Sequence, residues 1–439
     1  MKTKNKRNYS KQNGITLIAL VVTIVVLLIL AGVSLNAIFS ENGIIKRAKD
    51  AQNKMDQATQ NDLDSINELN NWIDGKTNGT TGGGTTGGDA NPSTTPKIST
   101  LVGTVVDKNT KAEDAYGNKI TIPKGFKVLA HGTEAGSATY TYSGDNIPAV
   151  QDGIVIENGT DGNQFVWVPV GTINNKSGDS RGTTSTITLG RYEFDSNTGA
   201  LKSNTPAQVA SVENYTKAVT ISDGYQELST FRAGNTATNS TAQNATARNL
   251  EEFISTTLAN GGYYIARFEA SGTASKITSK YNQTVLGNIT QPNAAKAARE
   301  MYGEVKENNE LVYASDLVNS YAWDTAIIFI QTYSTETDAS SYASKNKSAS
   351  FANTGINNDK YCNIWDMSGN VEEWTTEDCD NPIHQNSTWF NVSYRGGKYD
   401  SSKNDVYAYT SRGSFGPDSF GTLKVSCGFR ISLIVGTAK

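Results

Sequence analysis

Two carboxylates, Asp366 and Glu373, stand seven residues apart in Asn363-Ile-Trp-Asp-Met-Ser-Gly-Asn-Val-Glu-Glu-Trp374, with Gly369 and Asn370 between them to turn the backbone. A hard cation collects oxygen ligands from carboxylates and carbonyls, so a turn of this kind can bring both acids onto one ion. The same acids could instead pair with Arg395 or Arg430, or stay solvated. A second stretch, residues 398–426, alternates Tyr399, Tyr407, Tyr409, Phe415 and Phe420 with polar residues that include Asp400, Ser401 and Asn404. Loops rich in Tyr, Ser, Gly and Asn make adaptable recognition surfaces. The alternative for these aromatics is a place in the core and strands. Cysteine and histidine chemistry is thin. Three cysteines in 439 residues exclude a disulfide-built scaffold, and His131 and His384 are too few for a closed His/Cys zinc site. An odd count without paired spacing favours small buried thiols over a Cys362–Cys379 bridge.

The elements that must carry these groups lie in a long and uneven chain. At about 150 residues per domain, 439 residues hold about three domains' worth of chain. Lys+Arg 39 against Asp+Glu 43 gives a net charge of −4, so no global basic field recruits nucleic acid. Residues 1–14 carry five of those basic residues and no acidic one. The run Ile15–Val33 is nineteen residues with no charge, long enough as a helix to span a hydrocarbon core of about 30 Å. By the positive-inside rule the N-terminus stays cytoplasmic. The apolar run is too long for a signal-peptide core, and no clean Ala-x-Ala follows it.

The break between charged and apolar segments, Gly14-Ile15-Thr-Leu-Ile18, resembles the processing signal of type IV prepilins and pseudopilins. That resemblance implies cleavage by a prepilin peptidase after Gly14, with Ile15 as the new, usually methylated, N-terminus and the helix retained as membrane anchor or filament core. Other pilin or pseudopilin subunits are then implied partners. The fifth mature position is Ala19, where the family usually has Glu, which suits a minor or tip subunit better than a main shaft. A plain uncleaved anchor is the alternative. Removal of the leader would leave 34 basic against 43 acidic residues, a charge of −9.

Beyond Ser40, apolar residues at helical spacing (Ile45, Ala48, Met55, Ala58, Ile66, Leu69, Ile73) predict an amphipathic stalk, so that residues 15–75 form the anchor and its continuation. Residues 76–97, rich in Gly and Thr, predict a flexible linker of about 26 Å root-mean-square span. A β-rich segment follows at 98–162, with strands at Lys119–Ile122, Phe126–Leu129 and Gly153–Ile156. Asn158-Gly159 and Asp161-Gly162 then make a hairpin loop before Phe165–Val170. A Ser/Thr/Asn-rich insertion is expected at about 173–247. A helix from Leu250 ends at Asn260-Gly261-Gly262, a strand runs Tyr263–Phe268, and a second helix starts with Ser320 as N-cap.

Asp366-Met-Ser-Gly-Asn-Val-Glu-Glu-Trp374, Tyr394-Arg-Gly-Gly-Lys398 and Cys427-Gly-Phe-Arg430, in that order, resemble the signature of the formylglycine-generating enzyme and sulfatase-modifying-factor family. Phe165-Val-Trp-Val-Pro169, Gly261–Glu269 and the Trp323-x-x-Ala326 helix agree with it. The resemblance implies an α+β, C-type-lectin-like domain over 163–439. It also implies calcium held by the side chains of Asp366 and Glu373 and the carbonyls of Gly369 and Val371. The family's copper-binding cysteine pair falls at Ser401 and Val406, which provide no thiolate, so no copper is expected and no catalytic residue is assigned.

These readings together describe a bacterial protein, membrane- or pilus-anchored, with its C-terminal domain outside the cell, binding an extracellular protein or glycan. Two alternatives remain. One is an exported modifying enzyme of the same fold. The other is a receptor diversified by a retroelement, because the same lectin-like scaffold carries such variable proteins.

Overall fold

The computed structural model describes residues 95–129, 149–194, 201–215, 217, 219–221, 225–228, 250–334, 350–357, 359–367, 369–380, 392–399, 412–415 and 427–438. The chain divides into two compact units, 1–90 and 91–439, and every described residue belongs to the second. The leader (Gly14 and Ile15), the apolar helix, the stalk and nearly all of the linker lie outside the described residues. Among the described residues no helix is long and apolar enough to cross a membrane.

Among the described residues, two antiparallel-dominated sheets and three α-helices organise the second unit, an α+β arrangement. Its main strands are β1 (Phe126–Val128), β2 (Val155–Asn158), β3 (Gln164–Pro169), β4 (Val219–Ile221), β5 (Tyr225–Leu228), β6 (Gly262–Ala266), β7 (Glu304–Glu307), β8 (Glu310–Leu317), β9 (Glu372–Asp380), β10 (Val392–Arg395), β11 (Arg412–Phe415), β12 (Cys427–Phe429) and β13 (Ile431–Val435). The larger sheet runs β7-β8-β13-β6-β3-β2-β1, antiparallel throughout. Its centre is apolar at all positions but Ser432: β6 and β13 are buried along their whole length, as strands covered on both faces must be. Strands β1 and β2, from the segment expected at 98–162, share this sheet with β3 and the C-terminal β13. That segment and the domain expected from 163 onward are therefore one folded unit.

The smaller sheet runs β4-β5-β9-β10-β11, with β12 parallel to the start of β9. Strands β4 and β5 come from the expected insertion, and β5 pairs with the end of β9. Pairing of β9 with β10 slips between Trp374 and Asp378, so Thr375–Glu377 bulge past β10. Bulges re-aim side chains, and here the bulge carries Glu377. β12 and β13 are separated only by Arg430, which puts that residue where the chain crosses from one sheet into the other.

Helix α1 (Leu250–Asn260) packs on β6 and β13 and ends at Gly261 with φ +76°. Helix α2 (Gln291–Tyr302) has Pro292 in its first turn, where the missing N–H costs nothing, and stops at Gly303 with φ +63°. Helix α3 (Ser320–Tyr333) is buried from Ser320 to Ile330. Its N-cap is Asn319, one residue before the expected Ser320: the Asn319 side chain accepts the Ala322 N–H at 3.0 Å. Short two-stranded hairpins decorate this frame, among them Ser271–Thr273 with Lys276–Thr278 and Lys360–Tyr361 with Ile364–Trp365.

Candidate functional site

The loop between Lys360 and Trp374 is built from residues that tolerate left-handed backbone. Cys362 (φ +46°) and Asn363 (φ +63°) turn the Lys360–Trp365 hairpin, and Asp366 (φ +59°) and Asn370 (φ +65°) bend the chain again on either side of Gly369. Asn and Asp enter this region more readily than other non-glycine residues, because their short polar side chains bond locally. The bends turn the acids of the loop inward, and Asp366 and Glu373 are both buried.

The partners of these acids are now explicit. Glu373 pairs with Arg430: Nη2 donates to Oε1 at 2.8 Å, and Nε reaches Oε1 and Oε2 at 3.1 and 3.2 Å. The same guanidinium donates from Nη1 to the Ala266 carbonyl at 2.9 Å and from Nη2 to the Trp365 carbonyl at 2.8 Å. One side chain thus ties β9, β6 and the Lys360–Trp365 hairpin together at the crossing between the sheets. Asp366 Oδ2 accepts the Gly355 N–H at 2.7 Å, while its Oδ1 is buried without a hydrogen-bond partner.

A third buried acid, Glu269, was not among the residues singled out from sequence, although it stands three residues after β6. It accepts the Val371 N–H at 3.0 Å and the Asn370 side-chain amide, and so holds the loop from below. The signal was there: an acid just beyond an apolar strand stays buried only with a dedicated set of donors.

The electrostatics follow from burial. Desolvation pushes the Glu269 carboxyl far above the usual carboxylate range, and the charges of Asp366 and Glu373 push it further. Burial, with Asp359 nearby, pushes Asp366 up to about 7. Burial also raises Glu373, an effect that Arg430 opposes. Desolvation works against the charge on Arg430, but Glu373, Glu269 and Asp366 outweigh it and hold the guanidinium above its ordinary value.

Other signature residues serve the scaffold as expected. Trp374 is buried and donates its indole N–H to the Ile289 carbonyl at 2.8 Å, Phe429 is fully buried, and Trp365 stacks with Phe268 at 6.3 Å. Gly428 is needed for close approach: a Cβ there would lie 2.7 Å from the Val371 side chain and 3.0 Å from the Leu286 carbonyl. Arg395 lies opposite Glu373 in the β9–β10 register. It pairs with Asp324 of α3 at 3.5 Å and donates to Ser393 at 2.6 Å. Beside it Arg191 meets Glu377 at 3.4 Å, Gln208 at 2.8 Å and the Tyr321 ring at 4.3 Å.

Of the recognition candidates, Tyr399 is half-buried and packs edge-on against Phe351, with ring centroids 5.1 Å apart. Phe415 ends β11, opposite Val392. Asp400, Ser401, Asn404, Tyr407, Tyr409 and Phe420 lie outside the described residues, as does Val406. Cys362 and Cys427 are free thiols, so no Cys362–Cys379 bridge forms, and burial raises the Cys362 thiol out of its reactive range. Among the described residues no group of three His, Cys, Asp or Glu side chains is placed to hold a metal ion.

Two sheets locked by a buried Arg430–Glu373 pair, with the Asp366–Trp374 loop folded between them, define an α+β domain whose signature segments form the internal frame. The sequence profile of the sulfatase-modifying factor enzyme 1-like domain matches residues 155–433, and the chain belongs to that family. No curated protein matches it. Among solved structures it is similar to Treponema denticola variable protein 1, at 14% identity over 62% of this chain and 96% of that one, with a TM-score of 0.24. That superposition is too loose to transfer anything.

Proposed function

We propose that the protein is a cell-surface binding subunit of the sulfatase-modifying-factor-like family, anchored through a prepilin-like N-terminus and lacking the family's oxidase chemistry. The observation that supports it is how the signature is used. Glu373, Trp374, Arg395, Phe429 and Arg430 are all engaged inside the fold, while Ser401 and Val406 stand where the family's thiolates would be. The frame is kept and the soft copper ligands are absent. The stretch 398–426, with Tyr399 at its start, is then the recognition face for an extracellular protein or glycan.

Calcium at the Asp366–Glu373 loop belongs to this reading. In favour of it, Asp366 Oδ1 is buried with no donor and three buried carboxylates share the Arg430 guanidinium. A hard cation with the Gly369 and Val371 carbonyls as further ligands would answer both. Against it, both oxygens of Glu373 are already taken by Arg430. Chelation of the purified full-length chain decides. An unchanged melting midpoint, with Asp366→Ala behaving like wild type, removes calcium from the proposal.

The binding reading is tested with the full chain in detergent micelles on glycan and protein arrays, beside an assay for oxygen-dependent turnover with copper. Saturable array binding without turnover supports it, and copper-dependent oxidation of a thiol substrate overturns it. Mass analysis of the surface-exposed protein tests the anchor: an intact Met1 terminus defeats processing at Gly14-Ile15.

A further inference from the structure

A cleft of about 400 Å3 opens where three elements outside the signature meet. They are the turn between β2 and β3 (Thr160, Asp161, Asn163), the Ser271–Thr278 hairpin with Lys280 after it, and the last turns of α2. Its volume falls within the range of about 300–1,000 Å3 common for small-molecule sites. The walls are tied to each other: Ser279 N–H donates to Asn163 Oδ1 at 2.9 Å, Ser279 Oγ donates to the Gln164 carbonyl at 2.9 Å, and the Tyr302 hydroxyl donates to Asp161 Oδ1 at 3.2 Å. The cleft is therefore preformed.

Its charges are unequal in availability. Asp161 Oδ1 accepts the Asn163 N–H and the Tyr302 hydroxyl, and Glu300 lies 3.8 Å from Lys296 in an exposed pair along α2. Lys276 and Lys280 have no carboxylate within ion-pair distance among the described residues. Lys280 extends over the turn: its Cε and Nζ lie 3.8 Å from where a Cβ on Gly162 would stand. Gly162 has φ +71°, which favours glycine at the turn. The lining residues thus offer a ligand two ammonium ions, the hydroxyls of Thr160 and Ser275, and the second Asp161 oxygen. No aromatic side chain lines the cleft, which leaves a planar ring without a stacking platform.

We propose that this cleft binds a carboxylate-bearing sugar unit, with the carboxylate at Lys276 and Lys280 and the sugar hydroxyls at Thr160 and Ser275. None of the residues that line the cleft belongs to 398–426, and the proposal does not depend on the reading of that stretch. The test is calorimetric titration of the full chain in micelles with digalacturonate at low salt, with a neutral digalactoside and tri-aspartate as controls. Saturable binding of digalacturonate is expected, weakened at least tenfold by Lys276→Ala/Lys280→Ala and by 0.5 M NaCl, because the ammonium groups are solvent-accessible and screened. Thr160→Trp, which plugs the cleft and leaves both lysines in place, should abolish binding without moving the melting midpoint. Absence of saturable digalacturonate binding overturns the proposal. Equal affinity for either control, or full binding by the double-lysine or Thr160→Trp variant, does so as well.

Discussion

Around Arg191 and Arg395 two guanidinium groups meet two carboxylates, Glu377 and Asp324, whereas around Arg430 three carboxylates, Glu373, Glu269 and Asp366, share one guanidinium. All eight side chains are buried. The first network is closed in charge, and neutral partners such as Gln208 and Ser320 complete it. The second carries surplus negative charge in a medium that disfavours it, and desolvation there raises the carboxyl groups that have no full partner. The two networks therefore play different parts. The balanced one fixes α3 and the Gly190–Arg191 strand to β9 and β10. The unbalanced one fixes the crossing between the sheets and leaves room for a proton or a cation.

The largest expected effect comes from removing the guanidinium that pairs with Glu373. Arg430→Ala would strand Glu373 and deepen the surplus on Glu269 and Asp366, and breaking a buried pair from one side costs about 3–5 kcal/mol. The expected outcome is a variant that is unfolded or strongly destabilised in urea titration, and near-wild-type stability would show that the surplus is already neutralised by protons. A smaller effect is expected in the balanced network. Glu377→Gln keeps volume and hydrogen bonding but leaves Arg191 without its counter-charge, a loss of about 1–3 kcal/mol by the scale of hydrogen bonds to charged groups. A stabilised Glu377→Gln would erase the distinction between the two networks.

Much of the frame was legible in sequence, because apolar strands and helix punctuation are local. Phe165–Val170, Tyr263–Phe268 and the helix ended by Asn260-Gly261-Gly262 fold as their patterns require. Helix α2 was missed, although Pro292 at its start and Gly303 at its end mark it; its Ala-rich face gives little periodic contrast. The pairing of Asp366 and Glu373 was legible only as alternatives. Which arginine meets Glu373 depends on β12 lying parallel to β9, a contact between residues more than fifty apart that no local pattern encodes. Glu377 was illegible for a similar reason, since its direction is set by the bulge in β9 opposite Ser393.

The smallest effect, and the one that sharpens the comparison most, is the pH dependence of the unbalanced network. Asp366 has a folded pKa of about 7, against an unfolded carboxylate near 4. Between those values the folded state holds the proton and the unfolded state does not. The stability that this group contributes is therefore full below about pH 4 and is lost as pH rises through about 7. In chelator, the urea midpoint should fall between pH 5 and pH 7.5 more in wild type than in Asp366→Asn, which cannot titrate. A cation bound at the loop needs the ionised carboxylate, so added calcium should reverse the slope for wild type and leave Asp366→Asn unmoved. Matching slopes for the two proteins in chelator would place the surplus charge elsewhere than Asp366. A wild-type slope insensitive to calcium would leave protons alone to balance Glu269, Asp366 and Glu373 against Arg430.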